Sequence, residues 1–147
     1  MSTEDMVSAI LRIVEAFNEG DMEFLQRSVT DDFVRHDMAS AIPSAGAGEV
    51  EVRSFLGILF AGIPNLRLEV QDIVPSTDRV TMRYHFSGTH TGTLFGVGGT
   101  GRSVEFSGIN IYRFEGEKIA EVWQLWDWAG MLHQIGVLDW PSHHAGS

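Results

Sequence analysis

The hydrophobic period changes once along this chain, and that change sets the class of fold. Up to about residue 63 the apolar residues recur three and four apart; from Leu66 onward they alternate. Val7, Ile10, Leu11, Val14 and Phe17 form one apolar stripe, which predicts a helix over residues 4–18. Ser2 or Thr3 can cap its start, and Glu4 and Asp5 suit its first turn. NEGD stops it: Gly20 fits a helix C-terminus, and Asp21 can cap the short helix MEFLQRSV that follows. FVRHDM, which contains His36, reads as a short strand or extended segment. ASAIPSAGAGEV, from Ala39, reads as a loop of about ten residues and a lid candidate. EVEVRSFLGILFAGI predicts a third helix, with Val52, Phe55, Leu56, Leu59 and Phe60 on its buried side, ended by Pro64 and Asn65.

The alternating half predicts strands at LRLEVQDIV, RVTMRYHFSGTH, RSVEFSGINIYRF and IAEVWQLWD, with turns at PSTD and EGEK. On the second, Val80, Met82, Tyr84 and Phe86 share a face that extends to Gly88 and His90. Thr81, Arg83, His85 and Ser87 face the other way. GTLFGVGGTGR is a Gly-rich connection, and AGMLHQIGVL a short closing helix. Three helices, four antiparallel strands and a last helix make an α+β fold, a meandering sheet with helices on one side. If the sheet curves, helices over its concave face leave a conical cavity, a usual place for a ligand. One domain is expected over residues 1–140, with 141–147 as a flexible tail.

Composition narrows the partners. A chain of 147 residues with 44% hydrophobic and 20% charged residues can build one genuine core. The net charge of −10, with ten scattered basic residues, argues against nucleic acid and anionic membrane. The absence of cysteine excludes disulfides, thiolate catalysis and Cys-bound metals. The N-terminus is acidic where a signal peptide is positive, and no apolar run reaches the ~20 residues of a membrane span. A cytoplasmic protein is expected.

The candidate chemistry gathers around EVWQLWDWAGMLHQIG. Glu121, Trp123, Leu125 and Asp127 share one strand face; Val122, Gln124 and Trp126 share the other. If Trp123 and Leu125 line the cavity, Asp127 points into it, and lost solvation raises its pKa toward that of a general base. Asp127 can equally cap the helix starting near Trp128. His90 can bond a substrate carbonyl or share a proton with Asp127, or can sit at a rim satisfied by loop carbonyls. His36 has the same two readings, whereas His85, His133, His143 and His144 receive no role. His36, His90 and Asp127 have ligand types that suit zinc or iron, but no HxH or HExxH spacing supports a metal site. GVGGTG lacks the Lys-Ser/Thr ending of a phosphate loop and leads into a strand; no GxSxG elbow is present. Trp123, Trp126, Trp128, Phe95, Phe106 and Met131 are mostly core, but any that reach the cavity suit a flat polycyclic or terpenoid-like ligand.

AFNEGDMEFLQRSVTDDFVRHD, GTHTGTLFGVGGTGRSVEFSGINIYRF, GEKIAEVW and WDWAGMLHQIGVL together resemble the SnoaL-like polyketide cyclases and ester cyclases of the nuclear-transport-factor-2-like superfamily. The resemblance implies a cone-shaped, cystatin-like α+β barrel, a homodimer or higher homo-oligomer, and no metal or organic cofactor. It implies that Asp127 is the acid/base of an intramolecular aldol condensation and that His36 is a polar site residue. It places two more polar positions on the third strand, Asn110 and Tyr112, or one residue on, Ile111 and Arg113. The expected activity is cyclisation of a hydrophobic carbonyl substrate, with Asp127, His90 and His36 catalytic and Trp123, Asn110, Tyr112, Tyr84 and Phe60 holding the substrate. Two rivals remain open. One is a ketosteroid-isomerase-like or epoxide-hydrolase-like enzyme, the latter needing an Asp–Arg–Asp set that Arg83 or Arg113 would have to complete. The other is a non-catalytic module that binds an apolar small molecule.

Overall fold

A computed structural model describes residues 1–140; the expected tail lies, from residue 141, outside the described residues. The helical half forms as its stripes and caps dictate. Helix α1 (Thr3–Glu19) opens on a capping box in which Ser2 Oγ accepts from the Asp5 amide and Asp5 accepts from the Ser2 amide. Gly20, left-handed at φ 72°, closes it, and Asp21 caps α2 (Met22–Arg27) by accepting from the Phe24 amide. The extended segment with His36 is a full strand, β1 (Val29–Asp37), and it takes over the end of the expected second helix. Helix α3 (Glu49–Gly62) follows, then β2 (Arg67–Ser76), β3 (Arg79–Thr89), β4 (Ser103–Glu115) and β5 (Lys118–Trp126), and last α4 (Trp128–Gln134).

The sheet order is β1-β5-β4-β3-β2. Strands β2 to β5 form the expected antiparallel meander, and β1 joins its far edge parallel to β5, which makes the sheet mixed. Helix α1 packs on β2 and β3, and α3 on β1. Between sheet and helices lies the core, with Ile10, Phe17, Leu59, Met82, Tyr84, Phe86 and Trp126 all buried. Among the described residues no helix is long and apolar enough to cross a membrane.

The phase of β5 is opposite to the one that would aim Asp127 inward. Val122, Gln124 and Trp126 are buried on the helix side, while Leu125 is 55% exposed and Trp123 half-buried on the outer side. Register decides this. Trp126 pairs with Gly108, Gln124 with Asn110 and Val122 with Tyr112, and Gly108 in turn pairs with Tyr84 of the inner face. Both faces of β5 are apolar enough that alternation alone cannot tell them apart.

A buried charge cluster ties the parts together. Arg35 Nε donates to Glu51 Oε1 at 2.6 Å, and its Nη2 donates to the carbonyls of Ile42 at 2.8 Å and Pro43 at 3.2 Å. Its guanidinium lies 4.3 Å from the Phe55 ring centroid and 3.9 Å from Asp37. Asp37 accepts from the amides of Ala39, Ala41 and Ile42, and Glu51 from Ser44 Oγ and the Ala45 amide. The loop expected to act as a lid is thus pinned along its length to β1 and α3. Removing one member of a buried pair strands the other charge. Glu51→Ala is expected to lower stability by about 3–5 kcal/mol, read from the midpoint of chemical denaturation.

Candidate functional site

The helix side of the sheet and helices α1, α2 and α3 line a cavity of about 120 Å³. Its wall is mostly apolar, with Ile10 and Phe17 from α1, Phe55 from α3, Met82 and Phe86 from β3, and Trp126 from β5. A cavity of roughly this size holds one aromatic ring.

The polar exceptions on the wall are few: Ser28, Arg35, Tyr84, Asn110, Tyr112 and Gln124. Three of them form a directed relay. Tyr84 donates to Asn110 Oδ1 at 2.6 Å, and Asn110 Nδ2 donates to Tyr112 Oη at 2.8 Å. The first bond orients the amide, so the Tyr112 oxygen accepts. Its own proton has no acceptor among the described residues. Gly108 makes room for the relay: a Cβ there would stand 2.8 Å from the Tyr84 hydroxyl oxygen and 2.7 Å from Trp126 Cδ1. Burial pushes Tyr112 up to about 12, against a smaller lowering by Asn110. Burial, with the neighbouring Tyr112, pushes Tyr84 well above the usual tyrosine value. Both are neutral donors at physiological pH.

The other expected site residues are not brought to this cavity. Asp127 lies on the exposed side as the N-cap of α4, with Oδ1 accepting from the Gly130 amide at 2.9 Å. A side chain at position 130 would collide with that carboxylate, so Gly130 fits the cap. Of the two readings open for Asp127, the geometry is that of the cap. His36 lies on the outer face, where Nε2 meets Glu121 Oε2 at 2.6 Å and the ring stacks on Trp123 at 5.3 Å. That His36 bond, ahead of the 3.0 Å bond from Arg113, holds the Glu121 carboxyl below its usual value. His90 is fully buried beyond the end of β3, with Nδ1 3.0 Å from Thr100 Oγ1 and Nε2 unpartnered, off the cavity wall. Trp123 is on the outer face because of the strand phase. Phe60 packs on Phe17 and lines a separate cleft with Asn65 and Arg67.

Tyr84, Asn110 and Tyr112 do line the cavity, whereas Ile111 and Arg113 lie on the opposite face of β4. Each of His36, His90 and Asp127 has its own separate neighbours, and among the described residues no three His, Asp or Glu side chains are grouped to hold a metal ion. Sequence reasoning passed over Arg35 and Gln124. Arg35 stands two residues from the inward Phe33, and Gln124 faces Asn110 once the phase of β5 is known.

The description of SnoaL-like polyketide cyclases matches residues 8–135. The chain belongs to the SnoaL-like polyketide cyclase family. Solved structures agree along nearly its whole length. IdmH of Streptomyces antibioticus, a proposed polyketide cyclase, is 33% identical with a TM-score of 0.73, over 89% of this chain and 98% of that one. AclR of Streptomyces galilaeus, a proposed hydroxylase, is 25% identical with a TM-score of 0.84, over 97% and 91%. TsrD of Streptomyces laurentii shares the fold at 23% identity and a TM-score of 0.82, over 94% and 99%. No curated protein matches the chain. This family member carries only two tyrosines, Tyr84 and Tyr112, so its relay can be titrated directly. Their folded-state values lie above the unfolded one, so the stability they contribute is full below about pH 10 and falls as pH rises toward about 12. Ultraviolet titration is expected to show little tyrosinate at pH 10 in the folded protein, and half-ionisation there after unfolding in denaturant.

Proposed function

We propose that the cavity binds a hydrophobic carbonyl compound and promotes its aldol-type ring closure, as a cofactor-independent enzyme of polyketide cyclase type. The observation that carries this reading is the free hydroxyl proton of Tyr112, held by Asn110 and Tyr84 in an otherwise apolar wall. A donor fixed in a dry site stabilises the negative charge that develops on a carbonyl oxygen, commonly the largest catalytic contribution. The enol of a 1,3-dicarbonyl substrate supplies the nucleophilic carbon. As the carbon–carbon bond forms, the enol proton is released and the electrophilic oxygen, bonded to Tyr112, becomes the new hydroxyl. The proton balance is internal to the substrate, which fits a cavity wall lined by no carboxylate and no histidine. The cavity's remaining task is to hold the chain folded with the reacting carbons close.

Asp127, His36 and His90 have no part in this step. The capped Asp127 supports a second reading, a binding module for an apolar metabolite. A hydrolase gains nothing from Arg83 and Arg113, which lie on the outer sheet face. Turnover of aromatic polyketones separates the readings. Tyr112→Phe is expected to lower kcat by about 10²–10³-fold, the loss usual for one oxyanion donor, while Asp127→Asn leaves kcat unchanged. Binding without turnover in the wild-type protein would favour the module.

The outer sheet face supports a homo-oligomer. Ile109 pairs across from Leu125 and Ile111 from Trp123, and the three aliphatic residues are exposed. A second copy of the chain is proposed to cover this patch. Leu125→Lys is expected to shift sedimentation from dimer or higher oligomer to monomer; an unchanged profile places the contact elsewhere.

A further inference from the structure

Gln124 presents a second free donor to the same cavity. It lies on the inner face of β5, with Oε1 3.5 Å from Arg35 Nη1. A guanidinium can only donate, so this contact turns the amide oxygen toward Arg35 and the NH₂ group away from it. Arg35 cannot easily give way, because Glu51, two loop carbonyls and the Phe55 ring hold it. Among the described residues Gln124 Nε2 has no hydrogen-bond acceptor, and Gln124 lines the cavity.

The two free donors share one patch of wall. Asn110 sits directly across from Gln124 in the β4–β5 register, and such partners have Cβ atoms about 4.5–5.5 Å apart. The Tyr112 hydroxyl lies 2.8 Å from Asn110 Nδ2, so it leans back from its own register position toward this pair. The acceptors are already engaged: the Tyr112 oxygen by Asn110, and Gln124 Oε1 by Arg35. Asp37 and Glu51 flank the Arg35 guanidinium, so no spare positive charge is left for a carboxylate ligand.

We infer that Tyr112 and Gln124 form a two-donor site for one ligand oxygen, with Arg35 as the positioning residue of Gln124. The site offers two donors to one oxygen, while its nearest acceptors, the Tyr112 oxygen and Gln124 Oε1, each already take one bond. It therefore selects a neutral ketone, or the enolate that forms from it, over an alcohol of the same shape. This rests on the cavity reading proposed above and adds to it Gln124 as a second donor to the carbonyl oxygen and Arg35 as the residue that orients Gln124.

The test uses three single-ring probes of one shape, acetophenone, 1-phenylethanol and ethylbenzene, with the full chain and side-chain amide NMR. Acetophenone is expected to bind about tenfold or more tighter than ethylbenzene, with 1-phenylethanol between the two, and to move the Gln124 NH₂ resonances downfield. Gln124→Leu is expected to lose about tenfold for acetophenone relative to ethylbenzene, and Arg35→Lys, in protein checked to be folded, to lose the same preference. Should either variant misfold, the Gln124 resonances of the wild-type protein decide: movement with acetophenone and not with ethylbenzene supports the site, and no movement overturns it. Equal affinity for ketone and hydrocarbon, unaffected by Gln124→Leu, overturns the two-donor site and leaves the apolar cavity standing. Binding of none of the three by folded protein overturns both. Ketone preference without turnover of any polyketone keeps the site and sinks the cyclase reading.

Discussion

Burying Arg35 is the constraint on which the rest of this structure depends. A guanidinium out of water is tolerable only when its donors are satisfied and its charge is opposed. Here the partners come from four places: Glu51 on α3, Asp37 at the end of β1, the carbonyls of Ile42 and Pro43, and Gln124 on β5. The charge is satisfied only if β1 lies beside β5, α3 lies over β1, and the intervening loop folds back on both. One side chain thus couples the mixed edge of the sheet to the helical layer. It also stands in the cavity wall, so the fold and the ligand site share a support.

The inner wall beyond Arg35 is organised by where side chains are missing as much as by where they are present. Gly108 lets the Tyr84 hydroxyl and the edge of Trp126 approach the sheet, and this brings Tyr84 to Asn110. The relay then runs along β4 to Tyr112 two residues on. Every member is set by cross-strand register, so the polar features of an apolar cavity are as rigid as the sheet that carries them.

The phase of one strand separates the two candidate chemistries. With Trp123 inward, the strand would aim Asp127 at the ligand; with Trp126 inward, it aims Gln124 there and leaves Asp127 to cap α4. Helix, strand and cap signals were legible because they are local. The stripe of α1, the Gly20 stop, the Asp21 cap and the inner face of β3 each rest on residues a few positions apart. The sites of His36 and His90 were not legible, since their partners, Glu121 and Thr100, lie 85 and 10 residues away.

The sequence by itself determined the α+β class, the order of nearly all the elements, the resemblance to SnoaL-like cyclases and the capacity of Asp127 to cap a helix. Periodicity and capping depend on neighbours along the chain, and those are visible in one dimension. Only the tertiary structure decided which face of β5 is buried, that β1 runs parallel beside it, and that Arg35, Gln124 and the tyrosine relay meet at one cavity. Burial on a two-sided apolar strand is settled by what packs against it. A buried charge or amide acquires a role only when distant partners close around it.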